Sequence, residues 1–193
     1  MVSRYRADLA VLRAGLLALV AGLFARWYDP ARPEDSLRLI GAVAGVLITR
    51  GQAAAAGFAV RLLGQLAPGE PFPIPPQIIG SAAGSVLADL SGMTPAVYVR
   101  RVQDGQSAEM GAQAAQTWLN SLAASEPYRA ANAVMTRNAL DDLRLTGRMV
   151  RATRPGACPF CRVIADRGYT PAAAGFAAHR NCQCTAIPEV RTA

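Results

Sequence analysis

The stretch Gly156-Ala157-Cys158-Pro159-Phe160-Cys161, followed by Ala165-Asp166-Arg167-Gly168-Tyr169 and then by His179-Arg180-Asn181-Cys182-Gln183-Cys184, holds every cysteine and the only histidine of a 193-residue chain. Two cysteines two residues apart let a tight turn aim both sulfurs at one ion, and a second turn some way along supplies the other half of a tetrahedron. Cysteines that staple a chain by disulfides are scattered along it, whereas these are clustered, which points to metal in a reducing compartment. Five candidate ligands, Cys158, Cys161, His179, Cys182 and Cys184, compete for four places. Cys158 and Cys161 form one pair. His179 with either Cys182 or Cys184 forms the other, and an all-cysteine set with His179 behind it is the alternative. With all four positions filled by protein the ion, Zn2+, is structural, since no position is open to water. A redox pair of Cys158 and Cys161 is the competing interpretation, but it gives no role to His179, Cys182 or Cys184.

Upstream of this module the sequence is helical in character. It is 52% hydrophobic but only 6% aromatic, so Ala, Leu and Val carry the apolar content and suit closely packed helices. The apolar run from Ala14 to Ala25 lies between Arg13 and Arg26 and is read as a buried core helix rather than a signal or anchor, because a dozen residues are too few to span a bilayer. A first helix is expected to end at Asp29-Pro30, and a second, Ala-rich and buried, to run from Pro33 to about Pro68. The proline-rich segment Pro68 to Pro76 reads as a loop or strap. Further helices are expected near Ile78–Leu90, Pro95–Gln103 and Ala108–Ala124, the last burying Met110, Ala114, Trp118 and Leu122 on one face. Another is expected to begin with Ser125 as its N-cap and to continue until Pro155-Gly156 ends it. Its helical spacing would place Ala131, Met135, Ala139, Leu143, Thr146 and Val150 on a packing face and Arg137, Arg144, Arg148 and Arg151 on the opposite one. The expected fold is therefore mainly α, a multi-helix body over 1–150 followed by a small C-terminal Cys/His zinc module over 151–193.

Charge is unevenly placed. All the basic residues are arginine, and from Arg129 onward ten arginines face four acids, which accounts for most of the net charge of +7. Such an end suits an acidic partner, a protein surface or nucleic acid, and the Arg137/Arg144/Arg148/Arg151 stripe is the candidate contact. Catalytic signatures are missing from the sequence. The one histidine is claimed by the cysteine cluster, and there is no G-x-S-x-G elbow, H-E-x-x-H pair, Gly-rich phosphate loop or deaminase motif, so a non-enzyme is expected.

The pattern C-x-x-C, a short helix ending in Arg-Gly-Tyr, then H-x-x-C-x-C and Pro188 resembles the C-terminal signature of the phage Mu protein F-like (MuF-like) minor head proteins, especially the branch in tailed phages of GC-rich, actinobacterial-type hosts. The likeness is specific from about Arg148 to Val190. It implies a minor capsid protein present in several copies inside the virion head near the portal, made in the host cytoplasm and acting in head morphogenesis, DNA packaging or delivery. Its implied partners are the portal protein, the major capsid protein and packaged DNA, with no membrane. Two alternatives from other classes are a capsid maturation protease, a label some members of this branch carry, and a zinc-containing DNA-binding protein.

Overall fold

A computed structural model describes residues 1–76, 78, 89–176 and 183–192. Among them are five α-helices, a 3-10 turn and a three-stranded sheet. Helix α1 spans Val2–Trp27, α2 Pro33–Leu66, α3 Leu90–Gln103 and α4 Ala108–Asp141, followed by β1 Leu145–Ala152, α5 Pro159–Asp166, β2 Tyr169–Pro171, the 3-10 turn Ala172–Ala174 and β3 Thr185–Val190. The helix expected over Ile78–Leu90 falls almost wholly outside the described residues.

Helix α1 stops where Tyr28 turns extended before Asp29-Pro30. The Asp29 carboxylate accepts the Ala31 N–H at 2.9 Å and the Arg32 Nε–H at 3.2 Å, holding the turn into α2. Those two contacts, the backbone amide foremost, keep the Asp29 carboxyl below its ordinary range. Pro33 opens α2, and Glu34 and Asp35 in its first turn oppose the positive end of the helix dipole. Glycine then decides how closely the neighbours of α2 approach. A Cβ on Gly41 would collide with the Leu90 carbonyl of α3, and one on Gly51 would lie 2.5 Å from a Leu16 methyl of α1.

Packing of α2 against α1, α3 and α4 creates two apolar clusters. One is purely helical, with Leu16, Val20 and Phe24 against Ile40, Ile48, Leu90 and Leu119. The other joins Leu9, Leu63, Tyr128 and Met135 to Leu145 and Met149 of β1 and Ala186 of β3. The sheet thus shares a core with the helices, and β1 runs across the expected boundary between residues 150 and 151.

Three expectations need correction. The apolar α1 is covered on one side only: Leu16, Val20 and Phe24 are buried, whereas Val11 and Leu19 are exposed, as are Ala14, Gly15 and Ala18. By length and composition α1 and α2 are each apolar enough to cross a membrane, and 22% of the most apolar window of α1 is buried against 50% for α2. Secondly, Ser125 does not cap a new helix. Helix α4 passes straight through Pro127, and the Ser125 hydroxyl donates to the Ser121 carbonyl at 2.8 Å. An interior proline costs about 3 kcal/mol of helix propensity, but Ala123, Ala124, Tyr128 and Ala131 are all buried around it, and this burial overrides the break. The buried face upstream is Gly111, Ala115, Leu119 and Ala123, one position along from the expected one; Met110 is exposed and Trp118 half-buried.

Thirdly, α4 ends at Asp141, and the segment expected to continue the helix is strand β1. Asp141 and Asp142 oppose the negative end of the helix dipole, and Gly147 adopts φ +76, outside helical conformation. Leu145, Met149 and Arg151 then point inward at strand spacing, while Arg148 faces solvent. The sheet is antiparallel in the order β2-β1-β3, with Met149 opposite both Thr170 and Pro188 and an irregularity in register between Leu145 and Met149. The proline segment is a strap, as expected: Phe72 is buried beneath the Arg144 guanidinium, and the Pro73 carbonyl accepts from Asn138 Nδ2 at 3.0 Å.

Candidate metal centre

Strand β1 delivers the chain to a turn in which the Ala157 N–H meets the Arg154 carbonyl at 3.0 Å and Gly156 takes φ +71. Cys158 follows in extended conformation as the N-cap of α5, with Pro159 in the first turn. This is the N-terminal arrangement that serine or aspartate usually makes, with sulfur in place of oxygen: the Cys161 N–H points at Cys158 Sγ, 3.5 Å away. Cys161 then faces inward, 1% exposed, and shares a buried cluster with Ala157 and with Cys184, 2% exposed; Cys158 and Phe176 pack against its edge.

Cys184 reaches this cluster because α4 holds it there. The buried Asn132 donates from Nδ2 to the Cys184 carbonyl at 3.0 Å and accepts the Ala186 N–H on Oδ1 at 2.8 Å. A single side chain of the helical body thereby fixes the backbone on both sides of Thr185, itself fully buried. Arg151 enters from β1. Its guanidinium lies 4.0 Å from the centre of the Phe176 ring, and Nη1 is 3.8 Å from Cys161 Sγ.

Of the five candidate ligands, Cys158, Cys161 and Cys184 are brought together, and His179 and Cys182 lie outside the described residues. Among the described residues no three Cys, His, Asp or Glu side chains form a metal-holding group. Two sulfurs of the cluster nevertheless have donors directed at them. An amide N–H and a guanidinium are both directed at sulfur, and a neutral thiol is a weak acceptor whereas an anionic sulfur is a strong one.

The arginines expected to form a stripe do not share a face. Arg137 sits on α4 and pairs with Asp141 at its end. Arg144, in the turn, pairs with Asp142 at 2.6 Å and donates to the Ala67 carbonyl. Its hydrogen bonds hold the Asp142 carboxyl below the ordinary range. Arg148 lies on the open side of β1, makes two bonds of 2.7 and 2.8 Å to Glu189, and covers the Tyr169 ring. Arg148 and, after it, the Thr146 hydroxyl pull the Glu189 carboxyl down to about 2. Arg151, three residues further along the strand, faces the opposite way and is buried. A helix places these four in a row; a helix end, a turn and a strand do not.

Sequence reasoning did not single out Asn132, whose signal was only a polar residue within the apolar face Tyr128-Ala131-Met135. Arg151 was assigned to the wrong element, although the alternation Leu145, Gly147, Met149, Arg151 places it inward once a strand is considered.

A mainly helical body sharing its core with a small sheet, beside which three cysteines gather, is the class of protein that this geometry defines. More particularly, the model of the VG15 protein family matches residues 1–193, and the chain belongs to that family, a phage-type viral gene family. It is a phage protein. No curated protein and no solved structure matches it.

Proposed function

We propose that the chain is a structural minor head protein of a tailed phage, held inside the capsid near the portal and acting in head assembly and in DNA packaging or delivery. The observation that carries this reading is the match of a phage-type family over the whole chain, residues 1–193. The C-x-x-C and H-x-x-C-x-C pattern, which resembles that of the MuF-like minor head proteins, narrows it to the head. The outer side of α1 adds physical support, since Val11 and Leu19 stand exposed among alanines and glycines along one face. Exposed contiguous apolar surface of this kind suits a protein partner, here the portal or the capsid shell.

Zn2+ would be held by Cys158, Cys161 and two of His179, Cys182 and Cys184, four ligands in all. When bound it supplies a rigid cross-link between the start of α5 and the start of β3, with no open position for chemistry. Asn132 and Arg151 tie that cross-link to α4 and β1. The protein would act by holding a shape, not by turning over a substrate. The DNA-binding alternative rested on the arginine stripe, and three of those four side chains are engaged by acidic residues of the chain itself.

Co-expression with the portal protein of the same phage tests the proposal. The chain is expected to co-purify with portal rings through gel filtration, and Leu19→Glu on the open face of α1 to abolish this without loss of helical signal. A chain that remains apart from both portal rings and capsid shells would refute it.

A further inference from the structure

Three arginines gather beside a buried tyrosine with no acid paired to any of them. Arg6 and Arg13 lie about two helical turns apart on one side of α1, and both are half-buried. Arg6 Nη2 donates to the Thr153 carbonyl at 2.6 Å, which brings the start of α1 against the chain just beyond β1, where Arg154 stands exposed. Tyr128 of α4 is 4% exposed. Burial pushes its hydroxyl up, while Arg13, Arg6 and Arg154, in that order, pull it down, so all three guanidiniums stand near the one phenol. Ion pairs among the described residues engage Arg32, Arg38, Arg129, Arg137, Arg144 and Arg148, and none of these three. The acid nearest to Tyr128 along the chain is Glu126, and its carboxylate is taken by Gln52 at 3.0 Å and by Arg129 at 3.2 Å. Arg13 Nε is shut off from water and has no hydrogen-bond partner, and the hydroxyl of Tyr5, a neighbour of Tyr128 in the same core, is in the same condition. Like charges brought together repel, and a buried donor without an acceptor is costly; both costs fall when an anion joins them.

We infer that Arg6, Arg13 and Arg154 form a binding site for a phosphate group, with the Arg13 Nε–H as its innermost donor. A guanidinium presents its N–H groups in a planar fork that matches phosphate oxygens two at a time, and several such forks suit a group with oxygens on every side. Two sources carry that group, the backbone of a nucleic acid and free or small-molecule phosphate. Inside a filled head, packaged DNA is the source at hand. The inference rests on neither the zinc reading nor the place of the protein in the head. It assigns the phosphate contact to arginines other than Arg137, Arg144 and Arg148, which acids of the chain already engage.

The test uses the full chain in two titrations at constant ionic strength, one with inorganic phosphate and one with a mixed-sequence DNA duplex. In the wild type the Arg13 Nε proton, followed by NMR, is expected to shift with saturation and to exchange more slowly with water. Saturation by phosphate alone identifies a small phosphoryl ligand. Saturation by the duplex, with phosphate a weak competitor, identifies the backbone, and either result supports the site. For the probe that binds, Arg154→Gln and Arg13→Gln are each expected to lower affinity about ten-fold or more, the loss of one hydrogen bond to a charged group. With DNA, Arg154→Gln should also reduce the slope of log affinity against log salt by about one. Arg101→Gln removes the same charge beside Met110, at the start of α4. That point is roughly 27 Å along the helix from Tyr128 and beyond the screening length, so a loss under about two-fold is expected there. Equal losses for Arg154→Gln and Arg101→Gln mean that general positive charge binds the probe, and this overturns the inference. An Arg13 Nε proton unmoved by both probes also overturns it. Should the variants fail to fold, the wild-type Arg13 signal decides by itself.

Discussion

Asn132→Ala probes the single side chain through which the helical body grips the cysteine module. Asn132 is 4% exposed and satisfies two backbone groups, the Cys184 carbonyl at 3.0 Å and the Ala186 N–H at 2.8 Å. Thr185 between them is fully buried, so water does not readily replace the amide. Each buried group left without a partner costs about 1–3 kcal/mol, which gives a loss of roughly 2–6 kcal/mol for the pair. For a chain of this size 1 kcal/mol moves the melting temperature by roughly 2–4 °C, so a fall of about 4 °C or more is expected in a circular-dichroism melt. Amide hydrogen exchange localises the effect: the Ala186 N–H should be protected in the wild type and exchange much faster in the variant, with the amides of α2 unchanged below the melting range. Thr136→Ala, which removes a hydroxyl bonded to the Asn132 carbonyl on the same turn, should cost about 1 kcal/mol and leave Ala186 protected. A shift under about 2 °C for Asn132→Ala, with Ala186 still protected, would mean that α4 does not hold the module, and the shared-core account would fail.

The remaining predictions concern the elements that moved from expectation. Ser125→Ala should change stability by less than about 0.5 kcal/mol if α4 is continuous, whereas removing a true N-cap costs about 1 kcal/mol; chemical denaturation distinguishes the two. Glu189, lowered from its ordinary 4.5 to about 2, contributes stability that is present above the ordinary value and lost as pH falls toward 2. Glu189→Gln should therefore flatten the acid limb of the stability profile between those values and leave the neutral region nearly level. Gly41→Ala should cost about 1–3 kcal/mol, because its methyl meets the Leu90 carbonyl, while Gly57→Ala, with open space around it, should be neutral or slightly stabilising in the same melts. Purified protein should hold about one zinc per chain, and stripping it with a chelator should expose the segment after Ala152 to protease while α1 to α4 stay folded. A metal-free protein equally resistant to protease would remove the structural role of zinc.

Where the sequence and the fold agree, the signal was local. Asp29-Pro30, Pro33-Glu34-Asp35 and Pro68-Gly69 act through φ restriction, missing donors and the helix dipole, and α1 and α2 end where those residues place them. The proline strap was legible for the same reason. Pro127 failed as a break because its cost is set by a helix in water, and here the helix is clamped by neighbours on both sides of that residue. The region after Asp141 failed for a different reason. Ala139, Leu143, Thr146 and Val150 fit a helical stripe by count, yet Leu143 is 85% exposed and the inward set is Leu145, Met149 and Arg151. Over so short a run the two periods overlap, and Gly147 was the residue to weigh more heavily. That error carried into the site: the stripe of arginines was a product of helical spacing, and Arg151 became visible as a neighbour of sulfur only once β1 was seen as a strand. The meeting of Cys158, Cys161 and Cys184 was legible because their clustering is a property of the sequence. Asn132 was not, because what it holds lies more than fifty residues away along the chain.

The head-protein reading stands most directly on where the protein is found. Virions of the encoding phage, purified through a density gradient, treated with protease and then opened, can be quantified for this chain by mass spectrometry against the portal protein. Several copies per virion, intact until the shell is opened and degraded afterwards, are expected. Absence from purified virions, or complete digestion before opening, would contradict a structural place inside the head.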